Sequence, residues 1–406
     1  MSEGKRVSGK REAAREEFIV LRWWREHCQW VSGLTSGQRL RYRLFQLVTI
    51  LAALVIAAAM VYSKWAQMPE VPIVSTRPEA NMNQPGNNVS EVQPGQTQET
   101  ITSPMASGRK EGVYTILVAG KDVVSGATDT MLLVSYDSKN KTLYGLNLPR
   151  DTMMNVSTSS KRLNTVFAYN RGSDKATQTQ NGMAALKRAV SNLTGIYPDF
   201  YVMVEWEAIG DLVNALGGVE FNVPYLMKYD DPDQNLHIYQ EPGLRLLDGD
   251  DAMQVIRHRQ NNEDCEVVIS AGDVGRLKVQ QDFLKAVVKK CLQPAVVLKI
   301  PELVDVFTKN VETDLSVGNL VALAQSAIGM DVNTSIEFST APLASSFRYG
   351  PARAAMVTLD AQGILEIVNG KMNPYIEDVQ LSDLELLVRR GDGSFTVTSG
   401  TLRLNG

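Results

Sequence analysis

Residues 114–151 read YTILVAGKDVVSGATDTMLLVSYDSKNKTLYGLNLPRD, and three short apolar runs inside that stretch decide the fold class. The runs 114–119, 131–134 and 142–148 are too short for helices. Their near-continuous apolar character suits strands buried on both faces of a sheet. Polar residues stand where these strands end or begin: Asp122 follows the first through Gly120-Lys121, Asp129 precedes the second, and Pro149-Arg150-Asp151 follows the third. Further along, the pattern predicts a helix around 182–194, a strand at 200–204, and a helix at 206–216 that Gly217-Gly218 ends. A strand at 219–223 and a helix over 276–292 follow, the helix with a stripe of Leu277, Leu284, Val287, Val288 and Cys291. Alternation of this kind predicts an α/β fold, a layered α-β-α domain with a central, mostly buried mixed sheet. Its core runs over about 114–292. Residues 293–406, with helices around 302–307 and 317–328 and short strands from 335 onward, form either the last part of the same domain or a small appendage.

Toward the N-terminus the character changes. Residues 44–63, LFQLVTILAALVIAAAMVYS, contain no charge. As a helix rising about 1.5 Å per residue they span about 30 Å, the hydrocarbon thickness of a bilayer. Arg39, Arg41 and Arg43 precede the run, while Tyr62, Lys64 and Trp65 mark its far interface. One transmembrane helix is therefore expected ahead of the domain. Residues 1–43 hold ten Lys/Arg against five Glu, so the positive-inside rule puts this basic tail in the cytoplasm and the bulk of the chain outside. That predicts a single-pass protein of the plasma membrane. Residues 64–110, rich in Pro, Gln, Asn, Ser and Thr, read as a flexible extracytoplasmic linker. The domain proper occupies 111–406.

Composition narrows the function classes. The 406 residues are 44% hydrophobic and 21% charged, with net charge −4, which excludes global disorder and argues against nucleic acid as a partner. Three cysteines, Cys28, Cys265 and Cys291, exclude a disulfide scaffold and a cysteine-based zinc site. Only the last two, on the outer side, are candidates for a disulfide.

No G-x-S-x-G elbow, P-loop or H-E-x-x-H is present. Candidate chemistry instead lies with Asp and Arg: Asp122, Asp129, Arg150 and Asp151, then Arg162, the pair Arg257 and Arg259, and Asp273 with Arg276. If neighbouring strands run parallel, their carboxyl ends meet at one rim, the usual ligand position of an α/β sheet. Two carboxylates can hold a Mg²⁺ that keeps several waters and completes its shell with phosphate oxygens. Guanidiniums clamp the remaining oxygens in pairs and stabilise a transferring phosphoryl group. Taken singly, each of these residues has a plainer reading as a turn, a cap or a solvated face.

At these same residues the chain resembles the LytR-CpsA-Psr family of bacterial cell-envelope proteins. The blocks that carry the resemblance include ATDTMLLVSYD, LNLPRDTMMNV, RLNTVFAY, LTGIYPDFYVMVEWEAIGDLVNALGGVEFNVP, GLRLLDGDDAMQVIRHRQ and DVGRLKVQQDFL. The resemblance implies a phosphotransferase that moves a glycopolymer, such as teichoic acid or capsule, from a polyprenyl pyrophosphate carrier to peptidoglycan. It implies Asp122 and Asp129 as ligands of Mg²⁺, or Mn²⁺ in its place. Arg150, Arg162, Arg257, Arg259, Arg276 and Gln280 become the pyrophosphate-binding set, with Arg150 and Asp151 at the reacting centre. Two departures stand out. Val279 precedes Gln280 where the family often has arginine, and the acidic segment QNNEDCEVVISAG separates Arg259 from Asp273. Alternatives of other classes are a lipid pyrophosphatase that uses water at the same site and a non-catalytic sensor of envelope lipid or wall polymer.

Overall fold

The computed structural model describes residues 64–72, 108–121, 127–205, 207–232, 236–262 and 272–404, together with Thr35, Tyr62 and Cys265. The proposed membrane segment 44–63 (Tyr62 apart), the basic tail 1–43 (Thr35 apart), most of the linker, and Asp122 lie outside the described residues. Among the described residues no helix is long and apolar enough to cross a membrane. The chain divides into two compact units, Met1–Gln67 and Met68–Gly406; the fold below is that of the second.

In chain order its elements are β1 (Val113–Lys121), β2 (Thr128–Asp137), β3 (Thr142–Asn147), α1 (Leu163–Tyr169), α2 (Gln178–Thr194), β4 (Phe200–Glu205), α3 (Glu207–Ala215) and β5 (Val219–Val223). Then come β6 (Met227–Asp231), β7 (Leu236–Gln240), β8 (Gly243–Leu247), α4 (Gly249–Arg257), α5 (Gly272–Cys291), α6 (Ile300–Asn310), β9 (Val311–Thr313) and α7 (Val317–Ser326). The chain finishes with β10 (Ile336–Thr340), β11 (Leu343–Tyr349), β12 (Ala354–Leu359), α8 (Ala361–Ile367), β13 (Leu387–Arg389) and β14 (Phe395–Val397).

Six strands form the central sheet in the order β10-β3-β2-β1-β4-β9. It is mixed: β1 runs parallel to β4 and β3 to β10, while β2 is antiparallel to both β1 and β3. The parallel arrangement allowed for above thus gives way, at the site, to an antiparallel meander. The reason is local, because only a short turn at 138–141, with Lys141 at φ 53°, separates β2 from β3. A parallel neighbour would need a crossover of a dozen or more residues. The functional consequence survives. With β2 reversed between them, β1 and β3 end on the same rim on which β2 begins.

Period-two alternation supplies the layers. Leu117, Ala119, Met131, Leu133 and Leu146 face one core, covered by α1, α2 and α8 through Phe167, Leu186, Leu193 and Ile364. Tyr114, Ile116, Tyr136 and Phe200 face the other, covered by α7 and by Val288 and Leu292 at the end of α5. Gly145 is required on β3, since a Cβ there would come within 2.3 Å of the Phe338 ring on β10. Apart from these two sheet-facing layers, a second core region gathers Val213, Phe221, Leu247, Val255 and Phe283 from α3, β5, β8, α4 and α5. Residues after 293 supply both edge strands, β9 and β10, so this segment completes the sheet.

Candidate active site

The site is built on the loop after β3. Pro149 has no N–H to continue the ladder, and its carbonyl accepts from the Thr152 backbone N–H (3.0 Å) and hydroxyl (2.7 Å). The turn so formed is held on both sides. Toward β12, Met153 N–H donates to Val357 O and Val357 N–H to Asp151 O, at 2.9 and 3.0 Å. Toward α1, Leu163 N–H donates to Thr152 O and Asn164 N–H to Arg150 O, at 2.9 and 3.1 Å. Met153 and Met154 are buried beneath the loop, which leaves Arg150 and Asp151 directed outward on a fixed backbone.

Four charged side chains then alternate in sign along the rim. Arg150 Nη1 lies 3.3 Å from Asp129 Oδ1, Arg150 Nε lies 3.9 Å from Asp151 Oδ2, and Arg162 Nε lies 3.4 Å from Asp151 Oδ1. Arg150 is 45% exposed and the other three about 30%. These separations exceed those of charge-assisted hydrogen bonds, about 2.7–2.9 Å. Arg162 Nε is buried and makes no hydrogen bond despite its ion pair. The guanidiniums therefore keep donor capacity, and an anion with several oxygens can take it up more completely than the single carboxylates do.

Supporting residues that the sequence reading did not single out hold this group. The Thr128 hydroxyl donates to Asn164 O at 3.3 Å, which ties the start of β2 to α1. Lys161 is buried, and its ammonium donates to Val156 O (3.1 Å) and Thr158 O (3.0 Å), closing the loop that delivers Arg162. Burial lowers the Lys161 pKa. Nothing in the pattern KRLN distinguishes this inward lysine from the outward arginine beside it.

The remaining predicted residues occupy the junction of α4 and α5. Arg257 is the last residue of α4 and Arg259 follows two positions later. Between them His258 turns inward, with Nε2 at 2.9 Å from Asn261 Oδ1, the ring 5.9 Å from that of Tyr225, and Nδ1 buried without a partner. Burial holds its pKa below the usual histidine range, partly offset by the Asn261 bond. Gln280 donates through Nε2 to Ile256 O at 2.9 Å, so its amide fastens α5 to the end of α4. Val279 is buried in the second core; a cation at this position would have to be buried with it. Arg276 belongs to α5, while its side chain, Asp122, and the acidic residues Glu263, Asp264 and Glu266 lie outside the described residues. Cys265 and Cys291 are free thiols. The structure thus brings Asp129, Arg150, Asp151 and Arg162 together on one rim and puts Arg257, Arg259 and Gln280 on the helix junction.

Among the described residues no group of three metal-ligating side chains occurs. Magnesium does not demand one, because it keeps several waters and is commonly held by one or two carboxylates plus substrate phosphates. Asp129, a hard-oxygen donor at the open rim, fits one such position.

Comparison with known proteins bears on the family and the fold. The model of the LytR_cpsA_psr family matches residues 79–367, beginning within the stretch read as linker. A polyisoprenyl-teichoic acid–peptidoglycan teichoic acid transferase of Bacillus subtilis, TagV, is 28% identical over 247 residues, 60% of this chain and 58% of that protein. The matched part therefore spans little more than half of that relative's length. A transferase of the same description from Halalkalibacterium halodurans, TagU, is 26% identical over 226 residues, 54% of this chain and 67% of its own. The crystal structure of B. subtilis TagV superposes with a TM-score of 0.50 at 25% identity, covering 64% of this chain and 95% of that one. With a match across most of its length and the α-β-α fold in common, the chain belongs to the LytR_cpsA_psr family.

Proposed function

We propose that this protein is a membrane-anchored glycopolymer transferase, which takes a glycopolymer linked to polyprenyl pyrophosphate and joins it to peptidoglycan. The observation that carries the reading is the alternating set Asp129–Arg150–Asp151–Arg162 on a backbone pinned from two sides. Relatives named as teichoic acid–peptidoglycan transferases support the class of reaction. The charge-free segment 44–63 and the basic tail before it support an anchor with the catalytic domain outside the cell.

In the reaction, a hydroxyl of the wall acceptor attacks the sugar-side phosphorus. A new O–P bond forms as the bridging P–O bond breaks, and polyprenyl monophosphate leaves with the bridging oxygen. The hydroxyl proton passes to a carboxylate, either Asp151 or one of the aspartates assigned to the metal. Arg150 and Arg162 bind the pyrophosphate and follow its charge onto the leaving group, with Arg257, Arg259, Arg276 and Gln280 completing the anion site. Mg²⁺, or Mn²⁺ in its place, held by Asp122 and Asp129 would neutralise phosphate charge there. Water as the nucleophile would instead make the protein a pyrophosphatase.

The test is product analysis. The full chain in detergent is incubated with Mg²⁺, a prenyl-pyrophosphate-linked oligosaccharide and peptidoglycan fragments, and the products are identified by mass spectrometry. A phosphodiester-linked adduct is expected. Free sugar phosphate without adduct would assign hydrolysis, and donor that is bound but unchanged would assign a sensor.

A further inference from the structure

The site loop has a neighbour that the transfer chemistry does not use. Strand β12 pairs with β11 on one side, and on the other its Val357 pairs with Thr152. Strand β11 therefore stands about two strand spacings, about 10 Å, from the backbone that carries Arg150 and Asp151. Against this hairpin packs a second one, β13–β14, which lies beyond residue 367 and so outside the family match. Leu387 shares a small core with Met153 and Met356. The Phe395 ring stands 5.5 Å from Phe347 and edge-on, 5.9 Å, to Tyr349.

These two hairpins are cationic in a chain of net charge −4. The hairpin residues 343–359 and 387–397 hold Arg348, Arg353, Arg389 and Arg390 against Asp392 alone, while Arg403 beyond them pairs with Glu385 at 3.7 Å. Arg348, Arg353, Arg389 and Arg390 are exposed. Arg389 stacks over Phe347 at 4.9 Å, an arrangement that fixes the guanidinium without removing its outward N–H groups. Arg348 Nη1 donates to Arg353 O at 3.2 Å, and Arg353 itself sits at φ 48°, the left-handed region in which L-residues other than Asn and Asp are uncommon. Asp392 accepts from the N–H and hydroxyl of Ser394 within its own turn, where the Arg390 charge also acts on its carboxylate.

We propose that β11–β12 and β13–β14 form a binding surface for the body of a polyanionic glycopolymer, a phosphodiester-linked polyol or sugar chain that leaves the reacting phosphorus across this face. The inference rests on the transferase reading and deepens it by assigning where on the domain the body of the donor polymer binds. Its basis is the juxtaposition of a basic, aromatic-backed surface with the loop that holds the reacting group. The three half-buried rings stiffen the surface, and the arginines match phosphodiesters one charge at a time.

The test reads binding without turnover. The full chain in detergent is titrated with lipid-free polyglycerol phosphate, with dextran of similar length, and with phosphatidylglycerol vesicles. Binding of polyglycerol phosphate that weakens with salt is expected, with none of dextran. The variant Arg348→Gln/Arg389→Gln/Arg390→Gln should bind about tenfold more weakly, as expected for three exposed charge contacts. Lysine at the same three positions should restore most of the affinity, which separates lost charge from a damaged hairpin. Equal binding of dextran, unchanged affinity in the glutamine variant, or binding of vesicles in place of the polymer would overturn the proposal. Because no transfer is measured, a negative result leaves the adduct assay standing, and a failed adduct assay leaves the polymer binding standing.

Discussion

The two ends of the central sheet handle charge in opposite ways. Where β1 and β4 begin, Asp199 is buried and accepts from Arg109 Nη2 (2.6 Å), the Thr115 N–H (2.7 Å) and the Thr115 hydroxyl (2.8 Å). Lys187, also buried, donates to Asp199 O at 2.8 Å, lies 3.7 Å from Asp314 and stands over the Tyr197 ring. Burial pushes the Asp199 carboxyl up, while Arg109, Thr115 and Lys187 pull it back. At the other end, Asp129, Arg150, Asp151 and Arg162 are 30–45% exposed and pair at 3.3–3.9 Å. The closed network gives its groups internal partners at short range and offers nothing to a ligand. The open one pays for readiness with long contacts that contribute little to stability. Similar residue types therefore serve the fold at one end and, in the proposed function, chemistry at the other, and solvent access with contact length tells them apart.

Substitutions can break that comparison. The largest effect on stability is expected from Asp199→Ala, which leaves Arg109 and the Thr115 N–H and hydroxyl without their carboxylate. Removing one partner of a buried pair costs about 3–5 kcal/mol, to be read from urea unfolding, with turnover per folded molecule unchanged. Arg150→Ala should do the reverse. Turnover should drop by about 10²–10³-fold, the size of effect seen when a preorganised donor to transition-state charge is lost, while the urea midpoint stays within error. An Arg150→Ala protein of near-normal turnover would remove this residue from the mechanism.

Smaller effects sharpen the role of the helix junction. Gln280→Leu deletes the bond to Ile256 O and should cost about 1 kcal/mol of stability. If Gln280 also binds pyrophosphate, KM for the donor rises beyond what that loss explains. The mildest expectation concerns pH. Because burial depresses the His258 pKa in the folded state, the unfolded chain binds the proton first. Stability is then full above the unfolded value, about 6.5, and declines as pH falls from there toward the lower folded value. His258→Gln should flatten the slope in that window; an unchanged profile would show that His258 does not titrate differently on folding.

Much of the domain was legible in advance because its signals are local. The runs at 114–119, 131–134 and 142–148 became β1, β2 and β3, and the strand expected at 219–223 has those bounds. The helix expected at 276–292 begins four residues earlier, at Gly272, since helix starts are set by caps and packing that periodicity does not report. Short strands were expected after residue 335, but the pairing of β11–β12 and β13–β14 into hairpins, and the hairpin β6–β7, were not anticipated. Their strands are short and half-exposed, and their alternation is diluted by turn residues. At the site, the presence of Asp129, Arg150, Asp151 and Arg162 was readable, whereas the inward roles of Lys161, His258 and Gln280 were not. Each of those has the composition of a surface residue; Lys161 and His258 turn in toward partners a few residues away and Gln280 toward Ile256, and residue type alone does not report that burial.

The amino-acid sequence alone therefore determined the fold class, the charge-free segment ahead of the domain, and a family resemblance resting on ordered blocks of Asp and Arg. Periodicity and residue chemistry are properties of neighbours along the chain and need no tertiary information. Only the tertiary structure decided that four of the predicted residues meet on one rim while others lie on the α4–α5 junction, and that two basic hairpins adjoin the site loop. Those outcomes depend on pairing between segments far apart in the chain, such as Val357 with Asp151 and Met153. Backbone hydrogen bonding of that kind carries no side-chain signature from which it could be read.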